Sequence, residues 1–110
     1  LEGLKGLPKL DLPQVPEYEH THAWHLFIVK VKDYPRDDFM EKLADYNIGY
    51  GLHFPPAHAL SYVRKKVGWA GRSLPETKRA AERIISLPLF PDMTEKDVHY
   101  VCRAVKEILK

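Results

Sequence analysis

The chain has 110 residues, 45% of them apolar and 29% charged, with 17 basic side chains against 15 acidic ones. A chain of this size reads as one domain that buries somewhat over about 60% of its extended surface, enough for a core without disulfides. The net charge of +2, with bases interleaved among acids, argues against a nucleic-acid partner, whose footprint is a clustered basic face, and no apolar run approaches the roughly 20 residues of a membrane span.

Leu1 to Glu19 reads as irregular. Leucines at 1, 4, 7, 10 and 12 hint at a helical stripe, but Gly3, Gly6, Pro8, Pro13 and Pro16 interrupt it. Leu1 to Pro8 has no compact apolar stretch and no small-residue cleavage site and is not expected to be a signal peptide. Without an initiator Met, the chain is expected to be a piece of a longer protein, with 1–19 a linker remnant and 20–110 the folded domain.

His22 to Lys32 is dense in aromatic and β-branched residues, and from Trp24 onward it predicts a buried strand. Pro35-Arg36-Asp37-Asp38 opens a helix, since proline suits a first turn and the acids suit the positive end of the helix dipole. Phe39, Met40, Leu43 and Ala44 form its apolar face, and Asn47 is suited to a left-handed C-terminal position. Ile48 to Phe54 predicts a second strand, with Gly49 and Gly51 marking a close approach by backbone or ligand. Pro55-Pro56 stops it.

Leu60, Val63 and Val67 then suggest a short helix ending at Gly68. Ser73-Leu74-Pro75-Glu76 has capping-box spacing ahead of a helix with Ala80, Ala81, Ile84 and Ile85 turned inward. Ser86 to Phe90 is a short strand whose internal Pro88 marks an edge or an unneeded ladder bond. Thr94 with Asp97 caps the last helix, where Val98, Val101, Cys102, Val105, Ile108 and Leu109 make the strongest periodic stripe in the chain. Cys102 is the single cysteine, so no internal disulfide forms, in keeping with a reducing cytoplasm.

The order is β-α-β-α-α-β-α. A right-handed first crossover makes the first two strands parallel. The third then fits between them, antiparallel to both, with the first and last helices on one face. The expected class is α+β: a small three-stranded, mainly antiparallel sheet with flanking helices, its other face short of cover.

Six histidines are the obvious chemical candidates. His20, His22 and His25 cluster, but no Cys or carboxylate stands at conventional zinc-ligand spacing, so polar histidines leading into a strand are the expectation and no metal site is assigned. His99 falls on the exposed side of the last helix. His53 ends a glycine-bearing strand and His58 follows the Pro-Pro turn, so both point from one strand-end loop, where binding residues gather; loop-packing histidines are the alternative. The chain has no G-x-S-x-G, phosphate-loop or dinucleotide fingerprint and no paired cysteines.

Several segments in order resemble one family: His22 to Val29, Arg36-Asp37 opening a helix, Gly49 to His58 (GYGLHFPPAH), Leu74-Pro75, Ser86 to Pro91 (SLPLFP), and Met93-Thr94 leading into the last helix. Over about four-fifths of its length the chain is similar to the C-terminal small domain of the DegT/DnrJ-type sugar-nucleotide aminotransferases, most of all those that make 4-amino-4-deoxy-arabinose for lipid A. The resemblance implies the fold type I small domain of pyridoxal-phosphate (PLP) enzymes. A large domain would supply the Schiff-base lysine and phosphate cup, and would pair with this one.

None of the lysines here matches the cofactor lysine, so the resemblance implies a fragment that neither holds PLP nor works alone. His53 and His58 carry over as substrate-side residues, with Tyr62 a weaker third and no catalytic residue of its own. The implied parent reaction is amino transfer from glutamate to a keto group on a nucleotide-linked sugar, by a cytoplasmic homodimer serving polysaccharide or lipid A biosynthesis. Lys78 stands where the family usually has an acid. The other reading is a free-standing interaction domain that keeps the fold without catalysis.

Overall fold

The structure, a computed structural model, describes residues 1–67 and 73–110. In chain order it contains a 3-10 turn at Glu2–Leu4, β1 (Leu10–Asp11), β2 (Phe27–Val31), α1 (Arg36–Asp45), a 3-10 turn at Ala57–Ala59, α2 (Ser61–Lys66), α3 (Pro75–Ala81), β3 (Ile84–Leu87) and α4 (Glu95–Ile108). The strands form one sheet in the order β1-β2-β3, antiparallel at both junctions. The α+β class expected from the sequence is the one the chain adopts.

The core follows from strand and helix periodicity. In β2 the alternation puts Val29 and Val31 on one face and Lys30 on the other, and the register sets Val29 opposite Ile85 and Phe27 opposite Leu87. Onto that face pack Phe39 and Leu43 of α1 and Val101, Ala104 and Val105 of α4, all buried. Each fully buried side chain of the size of valine, leucine or phenylalanine stabilises the fold by about 1.5–3 kcal/mol.

Helix ends fix the angles between these layers. At the C-terminus of α1, Asn47 takes the left-handed φ of 54°, the Asn47 N–H donates to the Ala44 carbonyl at 2.8 Å, and the Ile48 N–H donates to Leu43 at 2.9 Å. The Tyr100 hydroxyl of α4 donates to the Tyr46 carbonyl at 2.8 Å, tying α4 to that same end. Thr94 and Asp97 make the reciprocal capping box expected at the start of α4.

Three expectations need correction. Ile48 to Phe54 is not a strand: it touches the sheet at one bridge, Gly51 to Ser86, with N–H···O bonds of 3.0 and 2.8 Å. The two glycines lower its strand tendency and Pro55-Pro56 prevents a longer ladder. β3 does lie between β2 and this segment, antiparallel to both. The third true strand is β1, whose Leu10 is buried opposite Val31.

Second, Ile84 and Ile85 belong to β3 and not to the helix before it, which ends at Ala81. Their spacing after Ala80 and Ala81 suits a helix face, and a short apolar run carries that ambiguity; two adjacent β-branched residues resolve it toward strand. Third, Ser73 caps nothing: the N-cap position of α3 is Leu74, with no side-chain cap bond, and Pro75 opens the helix. α2 buries none of its residues, and its expected end at Gly68 lies outside the described residues.

The stretch 1–19 divides in two. Residues 13–25 carry no regular element. Residues 1–12 enter the core: Leu4 and Leu10 are buried, Leu7 and Leu12 pack against the same cluster, and the Glu2–Leu4 turn lies on α4. Gly3 permits that approach, because a Cβ there would stand 2.7 Å from the Cys102 sulfur.

Candidate functional site

The loop after α1 is built around the bridge at Gly51. Buried Ile48 anchors its start, and two prolines stiffen the exit before the Ala57–Ala59 turn and α2. Between them, the His53 side chain folds back toward β3, where its Nδ1 lies 2.9 Å from the Ser86 hydroxyl. The ring rests over Gly51, and any Cβ at that position would overlap it. Phe54 meets the imidazole edge-on at 5.0 Å.

His53 borders a hollow of about 580 Å³ between residues 47–51, the end of β3 and the first turns of α4. Its walls are largely apolar, with Tyr50, Leu89, Phe90 and Met93 among them, and Asp97 and Tyr100 are the polar groups from α4. Hydrogen bonds from the Thr94 hydroxyl and then the Thr94 backbone N–H hold the Asp97 carboxyl below its ordinary range, so it is an anion committed to the helix cap.

His58 borders a different hollow, of about 430 Å³, with Arg36, Phe54, Lys78 and Ile84 on its walls. Arg36 is spent structurally: Nη1 donates to the Ala81 carbonyl at the end of α3 at 2.6 Å, and the guanidinium also pairs with Asp37. The structure thus keeps the two loop histidines on one segment but turns them into separate hollows. Tyr62 borders neither and is 71% exposed.

Around these hollows Tyr50, Leu52, Phe54, Leu60, Leu89 and Phe90 are exposed, Phe54 by 72%. They lie on two segments, residues 50–60 and the stretch after β3, and leave the rims of both hollows largely apolar. Elsewhere, His22 stacks on Trp24 at 4.0 Å and accepts its N–H at 2.8 Å, while the His20 ring nitrogen Nδ1 lies 2.7 Å from the Tyr18 carbonyl. Among the described residues no three His, Cys, Asp or Glu side chains converge as metal ligands would, and no helix is long and apolar enough to cross a membrane. His99 is exposed, as expected.

Ser86 is the site residue that sequence reasoning missed. The signal was present: one polar residue inside the apolar run Ile84-Ile85-Ser86-Leu87, where a buried hydroxyl requires a partner. Arg36 is the second, since its place at the start of α1 gives no sign of its contact with Ala81.

The model of the DegT/DnrJ/EryC1/StrS aminotransferase family matches residues 1–106. The chain belongs to that family. Among solved structures, its fold is similar to the sugar aminotransferase CalS13 of Micromonospora echinospora, with 25% identity and a TM-score of 0.80 over 96% of this chain and 27% of that one. It is similar to NtdA of Bacillus subtilis, determined with the cofactor PMP bound, with 29% identity and a TM-score of 0.82 over 98% of this chain and 25% of that one. It is also similar to DesV of S. venezuelae, determined in complex with a ketimine intermediate, with 30% identity and a TM-score of 0.79 over 99% of this chain and 29% of that one. The chain therefore spans a little over a quarter of the length of the family members it matches.

For the PLP that such a family implies, the two hollows offer few cationic partners to a phosphate. The larger hollow has neither lysine nor arginine on its walls. In the smaller one, Lys78 is exposed beside Glu82 at 3.9 Å, and the Arg36 guanidinium already serves Ala81 and Asp37.

Proposed function

We propose that this chain is the C-terminal domain of a PLP-dependent aminotransferase that moves an amino group from glutamate to a keto group on a nucleotide-linked sugar. The family match over residues 1–106, in a chain spanning little over a quarter of its relatives, is the observation that carries this reading. Two of those similar structures, a sugar aminotransferase and a protein with bound PMP, favour the sugar and the cofactor. The lysine and phosphate cup would come from the rest of a longer chain, whose surface would meet the exposed apolar side chains such as Phe54 and Phe90. PLP, when bound, supplies the electron sink; this domain supplies orientation and excludes water.

Within that reading His53, His58 and Tyr62 face the substrate side, the parent works as a cytoplasmic homodimer, and its product serves lipid A or polysaccharide synthesis. The GYGLHFPPAH and SLPLFP segments favour the 4-amino-4-deoxy-arabinose-forming branch. His53 acts by donating or accepting a hydrogen bond at a sugar hydroxyl or an anionic group, not as the proton-transfer base.

The test is steady-state kinetics on the full-length parent. His53→Ala is expected to lower kcat/KM for the nucleotide sugar about 10- to 150-fold, the value of a hydrogen bond to a charged group, with the cofactor absorption unchanged. His99→Ala, on the exposed side of α4, serves as control. If His53→Ala and His58→Ala both stay within about twofold of wild type, the loop is structural and the site assignment fails.

A further inference from the structure

Ser86 is the one buried polar side chain among the described residues, 4% exposed in the middle of β3. Its hydroxyl has one hydrogen-bond partner there, the Nδ1 of His53 at 2.9 Å. Its backbone is bonded in both directions to Gly51, over which the His53 ring lies. One short piece of β3 therefore holds both the loop that carries the imidazole and the imidazole itself.

We propose that Ser86 is a positioning residue for His53, fixing the neutral ring with its proton on Nε2 so that it presents a donor to an oxygen acceptor of the ligand. A hydroxyl has one proton to give, and a neutral imidazole has one donor nitrogen and one acceptor nitrogen. If Nδ1 held the proton, Ser86 would accept it and leave its own proton buried without an acceptor among the described residues. That loss is avoided when Ser86 donates to Nδ1. The ring proton then sits on Nε2, across the ring from Ser86 and without a partner among the described residues. Such a nitrogen cannot accept, so the ligand atom it meets is an acceptor such as a hydroxyl, carbonyl or phosphate oxygen and not an ammonium group. Gly51 completes the device, since a methyl there would displace the ring from Ser86.

The ligand-facing part rests on the substrate-side reading of His53, and the experiment separates the two. Long-range 1H–15N spectra of the chain at pH 8 are expected to show His53 protonated on Nε2. Ser86→Ala and Gly51→Ala should shift the His53 ring nitrogens, and Ser86→Thr, which keeps the hydroxyl, should restore them. In the full-length parent, Ser86→Ala should raise KM for the nucleotide sugar about three- to tenfold with kcat within about twofold, and Ser86→Thr should recover most of it. A wild-type His53 protonated on Nδ1 overturns the proposal, as does Ser86→Ala that leaves both spectra and KM unchanged. If His53→Ala raises KM and Ser86→Ala does not, the positioning role falls alone. If neither raises KM although Nε2 carries the proton, the substrate-side reading falls and the Ser86–His53 bond is a packing contact.

Discussion

On the helix-covered side of the sheet, Val29, Phe39, Leu43, Ile85 and Val105 are fully excluded from solvent, whereas on the segment from Tyr50 to Val67, which includes α2, the large apolar side chains Phe54, Leu60 and Tyr62 stand in solvent. Both regions are rich in apolar residues, and they differ in what meets them. The first is closed by periodic elements of the same chain. The second is held by one backbone bridge, one serine–histidine bond and two prolines. Local order there comes from a few polar and steric constraints, leaving the apolar surface available to something else. Stability should reside in the first region and function in the second.

The largest way to break that comparison is in the core. Phe39→Ala should cost about 3–5 kcal/mol, a large part of the roughly 5–15 kcal/mol holding a small domain, and urea unfolding would show it as a large fall in midpoint. A fall below about 1 kcal/mol would mean that the core relaxes around the cavity. The N-terminal turn gives the next effect. Gly3→Ala sets a methyl 2.7 Å from the Cys102 sulfur and should cost about 1–3 kcal/mol. The reaction of Cys102 with a thiol reagent should quicken as the turn lifts from α4; an unchanged rate would show the turn is not packed there.

A smaller effect belongs to the cap of α4. Thr94→Ala should cost about 1 kcal/mol, read from thermal unfolding. It also has a pH signature. Because Thr94 holds the Asp97 carboxyl below its ordinary range, its contribution is complete above the unfolded chain's carboxylate pKa and is lost as pH falls through the lowered folded value. Thr94→Ala should remove that part of the acid sensitivity; a parallel pH profile in wild type and variant would contradict it. The smallest effect is expected at the loop, where Phe54→Ala should change stability by no more than about 0.5 kcal/mol. It should, however, weaken any concentration-dependent self-association of the isolated chain seen by light scattering. A large loss of stability would move Phe54 from the second region into the first.

The sequence by itself determined the elements whose signal is periodic or capped. α4 with its Thr94–Asp97 box, α1 from Arg36 to its left-handed Asn47, and the central part of β2 all follow from local spacing and chemistry, and the handedness of the first crossover leads to β3 lying between β2 and the Gly51 segment. Family membership was legible too, because GYGLHFPPAH and SLPLFP are specific strings. Tertiary structure decided the rest. Leu10 pairs with Val31 only because the chain returns to that edge, a contact across about twenty residues that no local pattern encodes. Ile84 and Ile85 fit helix or strand until the sheet claims them. The partner of His53 is 33 positions away in β3, and His53 and His58 part into separate hollows although they stand only five positions apart. Periodicity reports the face a residue turns to the core, while the direction of a loop side chain depends on which distant backbone lies beneath it. Here that was decided by Ser86 and by the space left at Gly51.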